Sequence, residues 1–386
     1  MKILLLSDYY QPKMAYAKVK IAQNLQQLGH EVKVLTSDRY FPFHNYQETC
    51  SQILGKRIRA IGEKIEASIL VERKKTIWEI FTRVFFADLE KSVRQYQPEL
   101  VICVGISSPS AIRIALLKKS LPFRLLMVDS HLPSELERGN KFLKKIFYFL
   151  FRFFFASLVA NNTDQFIALQ DKTQEIIKHT YGIKSKNIKI IPNGTDIDLF
   201  KFNLIARNKI RHQFKIKKKD FVIIYTGKII KEKGIDILFK AFNFLNKKNI
   251  YLLLVGDGPS DYKNFCLKLV NLKLHGNIIW AGWQKQETLP AYYSAADVAV
   301  WPLQESLAMN DAASCGLPFI ANHELGDKTR VSEHNALLYK KGSYLDLAQK
   351  ITYLLKNYKI RSMMGRRGRR LAEEKLSWYQ IAQAYL

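Results

Sequence analysis

Short apolar runs alternate along the chain with longer stretches in which apolar residues recur every three or four positions. The first pattern predicts strands buried on both faces, the second amphipathic helices covering them. KILLLSD (2–8) reads as a strand, AKVKIAQNLQQLG (17–29) as a helix closed by Gly29, and EVKVLTSD (31–38) as the next strand. LVICVG and FRLLMVD repeat the theme before IPNG (191–194), whose Pro and Asn-Gly pair end a strand and begin a loop.

A second series runs through FVIIYTG, IDILFKAFNFL, IYLLLVGDG, NIIWAG, DVAVWP and LPFIAN. Strands alternating with helices imply βα units and parallel sheets, so the expectation is an α/β protein of two doubly wound domains facing each other across a cleft, with a hinge near 194–200. Ligands of such sheets bind beyond the carboxyl ends of the strands, where Gly105, His131, Gly227, Gly256 and Glu305 fall. The boundaries expected are 1–195, 196–371 and a C-terminal helix, 372–386, packing back on the first domain.

Composition narrows the possibilities. A chain of 386 residues, 48% of them apolar, is long enough for two cores. Cys50, Cys103, Cys266 and Cys315 lie far apart with no metal-ligand spacing, which argues against both zinc and a disulfide framework and fits a reducing cytoplasm. The apolar core of KILLLSD is too short for a secretory signal. A net charge of +27, from 61 basic and 34 acidic residues, attracts anionic partners. With no zinc-finger or RNA-binding signature in the chain, nucleic acid is the least favoured of these.

Three groups of residues carry candidate chemistry. In FVIIYTGKIIKEKG, a strand leads into Gly227, and Lys228 and Lys233 precede a helix; two ammonium groups there suit phosphate oxygens, a solvated turn being the alternative. In WPLQESLAMNDAASCGLPFI, the carboxylates Glu305 and Asp311 stand among small residues after a buried strand, either facing a ligand or capping the following helix. His131, in LLMVDSHLPSE, follows another strand and is catalytic or structural, with Asp129 and Ser130 beside it to orient the ring.

Taken in order, MKILLLSDYYQP, LGHEVKVLT, IIPNGTDIDLF, TGKIIKEKG, LLVGDGP, WAGW, AASCGLPFIA and the closing MGRRGRR and LSWYQIA resemble glycosyltransferases of the GT-B architecture. The likeness covers nearly the whole chain and is to family 4, retaining enzymes that use nucleotide-sugar donors. It implies that Lys228 and Lys233 bind the donor diphosphate and stabilise the leaving group, that His131 contacts the donor sugar, and that Asp311 holds the ribose hydroxyls. Glu305 then reaches the donor sugar, although the family's first Glu aligns with Leu303. Ser306, Leu307 and Ala308 replace the family's Gly-Phe-Gly, their backbone amides remaining available for hydroxyls. The glycine pair of the family's first loop is missing from YYQPKMAYAK, where Lys13 offers a side-chain cation instead. Arg330 stands near a position where the family usually has Glu, and Trp283 lies where the base packs. The donor expected is a UDP-sugar ahead of a GDP-sugar, with no cofactor and no metal.

One segment stands outside this scheme. RGNKFLKKIFYFLFRFFFASLVA places eight aromatic residues between Phe142 and Phe155, among Lys141, Lys144, Lys145 and Arg152. At helical spacing Lys141, Lys145, Tyr148 and Arg152 share one stripe, and Leu143, Phe147, Leu150 and Phe154 another. The apolar part, 146–160, is too short to span a bilayer. It reads as an interfacial helix binding an anionic membrane, or as a core helix or dimer surface. The combined expectation is a cytoplasmic, peripheral membrane transferase that builds a lipid-linked glycan. Alternatives are a soluble transferase acting on a protein or small molecule, and a scaffold without turnover.

Overall fold

The computed structural model describes residues 1–386 apart from 15, 44, 45, 81, 132–139 and 326, and apart from the side chains of Thr49 and Lys141. The chain forms two compact units, Met1–Asn193 with Trp378–Leu386, and Gly194–Ser377. Each has its own sheet.

The first unit contains β1 (Lys2–Ser7), β2 (Glu31–Ser37), β3 (Gly62–Glu66), β4 (Ile69–Lys74), β5 (Thr76–Ile80), β6 (Arg83–Phe86), β7 (Leu100–Val104), β8 (Arg124–Asp129), β9 (Gln165–Ala168) and β10 (Ile188–Ile190). Eight of them form one sheet in the order β10-β9-β8-β7-β1-β2-β4-β3, while β5 and β6 make a separate hairpin. Only β3 runs antiparallel to its neighbour in that sheet. Among the helices are α1 (Ala17–Gln27), α2 (Pro109–Leu117) and α3 (Lys141–Phe154).

Alternation along β1 explains how the layers assemble. Ile3 and Leu5 face Val19, Ala22 and Leu25 of α1, whereas Leu4 and Leu6 face the opposite side with Ile114 and Ala115 of α2. The helix α1 ends as its sequence predicts, with Gly29 just beyond it at a φ of 84°.

The second unit holds β11 (Phe221–Thr226), β12 (Ile250–Val255), β13 (Ile278–Gly282), β14 (Val298–Trp301), β15 (Phe319–Asn322) and β16 (Ala336–Tyr339). They form one parallel sheet in the order β13-β12-β11-β14-β15-β16. Around it lie α4 (Ile235–Leu245), α5 (Ala308–Ser314), α6 (Tyr344–Lys356) and α7 (Tyr358–Leu371). All six residues of β11 are buried, as a strand covered on both faces requires.

The C-terminal end differs from the expected single helix over 372–386. The backbone continues from α7 through a wide helical turn at Ala372–Leu376, and a separate helix, α8 (Trp378–Gln383), begins only after Ser377. The Thr195 amide donates to the Leu376 carbonyl at 2.7 Å, so the outgoing and returning strands of chain lie side by side. Trp378, Ile381, Ala382 and Tyr385 then complete the core around Ile3, Leu5 and α1.

Two further points bear on the sites. The apolar stretch 146–160 is not one helix: α3 stops at Phe154 and a short helix, Ala156–Asn161, follows Phe155. Among the described residues, no helix is long and apolar enough to cross a membrane.

Candidate functional site

In the second unit, strand order reverses between β11 and β14, which places the crevice of the sheet at the carboxyl ends of these two strands. Gly227 follows β11 at a φ of 136°, and the Gly227 amide donates to the Val255 carbonyl at 3.0 Å. The turn after β12 comes so close that a Cβ on Gly256 would lie 1.9 Å from the Gly227 carbonyl oxygen. Only glycine fits there. Lys228 is exposed at this mouth, its carbonyl accepting from the Tyr225 hydroxyl at 2.8 Å. Lys233, half-buried, donates from Nζ to the Glu305 carbonyl at 3.4 Å, joining the basic turn after β11 to the acidic turn after β14.

The turn after β14 is tied down one carbonyl at a time. Pro302 accepts from the Tyr339 hydroxyl at 2.6 Å, Leu303 from Asn322 Nδ2 at 2.6 Å, Glu305 from Lys233, and Ser306 from Arg330 Nη1 at 2.7 Å. Arg330 is itself buried and bonded through Nε to Asp327 Oδ2 at 2.9 Å. Neither Asn322 nor Tyr339 stands out in the sequence, because the partner of each is a main-chain carbonyl of the turn after β14.

Asp311 lies in the first turn of α5, and its Oδ1 accepts from the Thr195 hydroxyl at 2.6 Å. Burial pushes its carboxyl up to about 7, and the nearby Asp196 adds to this; Thr195 and Arg330 pull the other way. Thr195 is a residue that the sequence offers only as part of the loop IPNGT. Ser306 and Leu307 form the turn just before α5, Leu307 exposed and Ser306 half-buried. Trp283 follows β13 and is 66% exposed, a free ring face beside Gly282, whose carbonyl accepts from the Gly256 amide at 2.8 Å.

The first unit carries a second group at its own carboxyl edge. The His131 Nδ1 lies 2.9 Å from Asp129 Oδ1, the same oxygen that accepts from the His131 amide at 2.8 Å, and the Tyr181 hydroxyl lies 3.2 Å from Nδ1. Burial pushes the Asp129 carboxyl up, but His131 and the bonds it makes outweigh that and leave it below its ordinary value. The contact of Nδ1 with this carboxylate fixes the orientation of the ring. Asp129 thus has the orienting position expected of it. Tyr181, fifty residues along the chain, had no signal in the sequence.

Lys13 is exposed in the turn after β1. Deeper in the same loop, Asp8 accepts from the Ser110 hydroxyl at 2.8 Å and from the Val84 amide at 3.3 Å, and burial pushes it up to about 6. Lys18 donates to the Ser7 hydroxyl at 3.2 Å and to the Tyr9 carbonyl; burial pushes its ammonium down to about 8. This pair also escaped sequence reasoning, which had only Lys13 to offer as the loop's cation.

The helix α3 packs by Tyr148 and Phe151, whose rings lie 5.5 and 6.0 Å from that of Tyr181. Its outer face is apolar: Phe142, Ile146, Phe149 and Phe153 are exposed at successive turns, with Leu143, Leu150 and Phe154 beside them. Of the expected basic stripe, Lys145 and Arg152 are exposed and Lys144 half-buried, while Tyr148 faces inward; the Lys141 side chain lies outside the described residues. Arg83, at the start of β6, reaches this helix over the Phe147 ring at 5.3 Å. Nearby in the hairpin, Ile77, Trp78 and Ile80 are exposed.

Comparison with known proteins agrees with this architecture. A family model described as Glycosyltransferase Family 4 matches residues 19–199, and one described as Glycosyl transferases group 1 matches residues 206–371. The chain belongs to glycosyltransferase family 4. Its curated relatives include the mannosylfructose-phosphate synthase of Agrobacterium fabrum, 25% identical over 59% of this chain and 53% of that protein. The capsular polysaccharide biosynthesis glycosyltransferase CapM of Staphylococcus aureus is 26% identical over 57% of this chain and 60% of its own length. The chain thus spans between half and two thirds of these relatives. Among solved structures, Anabaena HepE in complex with UDP superposes with a TM-score of 0.73 at 17% identity, covering 100% of this family 4 chain and 98% of that one. WaaG, a glycosyltransferase involved in lipopolysaccharide biosynthesis, superposes with a TM-score of 0.60 at 16% identity. These likenesses show the GT-B fold.

Proposed function

We propose that the protein transfers a sugar, with retention of configuration, from a nucleoside diphosphate sugar to a lipid-linked glycan at an anionic membrane surface facing the cytoplasm. The observation that carries this reading is the contact of Lys233 with the Glu305 carbonyl, because it brings a cation and a carboxylate-bearing turn together at the reversal of strand order. Lys228 and Lys233 neutralise the charge that grows on the departing diphosphate. Asp311 accepts from the ribose hydroxyls, Trp283 stacks on the base, and Glu305 with the amides of Ser306 and Leu307 orients the donor sugar. In the first unit His131 contacts that sugar, and Lys13 supplies charge to the phosphates. The phosphate oxygen of the leaving group takes the proton of the acceptor hydroxyl, so the protein need supply no nucleophile. The UDP in the HepE complex supports a uridine donor, as the likeness to CapM, of capsular polysaccharide biosynthesis, and to WaaG, of lipopolysaccharide biosynthesis, supports a polysaccharide or glycolipid product.

The membrane part of the proposal rests on α3, whose exposed aromatic face has no reason to be apolar in water. Lys145 and Arg152 beside it each contribute about 1 kcal/mol against anionic headgroups. A screen of UDP- and GDP-sugars by thermal shift identifies the donor. With that donor, Lys228→Ala and Lys233→Ala are each expected to lower turnover by about 10² to 10³ with the fold intact. Turnover unchanged in both variants removes the phosphate assignment, and an inverted anomeric product by NMR removes the retaining one.

A further inference from the structure

In the turn that follows β14 four carbonyls accept from side chains, and that of Ser306 accepts from the Met309 amide as well, at 3.1 Å. Three of these partners are ordinary: a tyrosine, an asparagine and a lysine. The fourth is a buried arginine whose counter-ion, Asp327, is also buried, at 6% and 2% exposure. Burying two charges is costly unless their geometry serves a purpose that a neutral contact does not.

Arg330 makes three contacts within this one region: Nε on Asp327 Oδ2 at 2.9 Å, and Nη1 on the Ser306 carbonyl at 2.7 Å and on Met309 Sδ at 3.9 Å. Asp327 also accepts from the Thr329 amide at 3.1 Å through its other oxygen, and the Asn335 side chain donates to the Arg330 carbonyl at 2.9 Å. The pair is therefore held from both ends. In a trans peptide the N–H points opposite to the C=O. With the Ser306 carbonyl directed at both Arg330 and the Met309 amide, the Leu307 amide points away from these two donors.

We propose that Arg330, anchored by Asp327, is a positioning residue that holds the turn at 305–307 so that the Leu307 amide faces the donor sugar. This rests on the donor-site reading above and adds to it a residue that does not touch the donor. The nucleoside diphosphate is gripped elsewhere, by Lys228, Lys233 and Asp311. Loss of the clamp therefore affects the reacting sugar and, where Asp311 is ionised, spares nucleotide binding.

The test uses the full chain, with calorimetric titration of UDP and GDP alongside release of nucleoside diphosphate from a mixture of UDP-glucose, UDP-N-acetylglucosamine and GDP-mannose. The double variant Asp327→Asn with Arg330→Gln leaves no lone buried charge and so keeps the fold. At pH 9, where Asp311 is ionised with or without the Arg330 charge, it is expected to lower kcat by about 10- to 100-fold, the effect of a misplacement near 1 Å, with the nucleotide Kd unchanged. Arg330→Lys, which keeps a single donor, should fall between that variant and wild type. Unchanged kcat in the double variant, or kcat and nucleotide affinity falling together at pH 9, overturns the positioning role. Wild-type protein that binds neither UDP nor GDP overturns the donor-site reading and this inference with it.

Discussion

Asp311 can accept from two ribose hydroxyls only as a carboxylate, and burial sets its pKa at about 7, within the range where the protonated fraction matters. Nucleotide affinity should therefore rise with pH and level off above about 8, falling by up to about tenfold for each unit below 7. Titration of UDP at pH 6, 7 and 8 checks this, and a flat wild-type profile counts against the ribose role. Thr195→Val should move the midpoint upward, because the Thr195 hydroxyl bonds the charged form. Asp311→Asn should abolish the dependence. Stability follows the same group with the opposite sign: the folded-state pKa lies above the ordinary 3.8, so the native state holds the proton more tightly. Its contribution is lost as pH rises from about 4 through 7, and Asp311→Asn should melt higher than wild type at pH 8.

At the scale of elements, α3 breaks the usual rule for a helix at a protein surface, since its most exposed side chains include Phe142, Phe149 and Phe153. Phe149→Ser with Phe153→Ser should release the protein from vesicles of phosphatidylcholine and phosphatidylglycerol, and Lys145→Gln should weaken binding more at low salt than at high salt. Both variants should melt as wild type does, because these side chains pack on little. Equal flotation of wild type and the Phe variant would remove the membrane assignment. The aromatic composition of α3 was legible in the sequence, but its orientation was not. With rings on every side, periodicity cannot say that Tyr148 and Phe151 turn inward to meet Tyr181. Strands such as FVIIYT and LVICV were legible because a run buried on both faces leaves a continuous apolar signature. The lysines after β11 and the carboxylates after β14 could be found for the related reason that each directly follows such a run. What escaped was every partner brought by topology: Thr195 for Asp311, Arg330 for the Ser306 carbonyl, Ser110 for Asp8. Nothing local marks a hydroxyl that will meet a carboxylate a hundred residues away.

Over the whole molecule, the chain passes from the first unit to the second after Asn193 and returns after Ser377, so the last nine residues belong to the core of the unit that began the chain. This arrangement makes the stability of the first unit depend on residues that follow the whole of the second in the sequence. Trp378, Ile381 and Tyr385 are buried in one cluster with Ile3, Leu5, Val19 and Leu25, which their removal would open to water in part. Each large apolar side chain so buried contributes about 1.5 to 3 kcal/mol, an upper figure because unfolded chains already bury part of their surface. Removing residues 378–386 should therefore cost the first unit on the order of 5 kcal/mol, a large share of the stability of a single domain. The second unit keeps its complete sheet from β11 to β16 and all of α7, and should lose nothing comparable. Calorimetric melting separates the two cases. The truncated chain should show one transition close to its wild-type position and another moved far down in temperature, the displaced one belonging to the unit that contains β1. Tyr385→Phe provides the control, since it keeps the ring in the core and should leave both transitions nearly in place. Should truncation lower both transitions equally, or neither, the returning helix would not be the structural member of the first unit that its packing makes it.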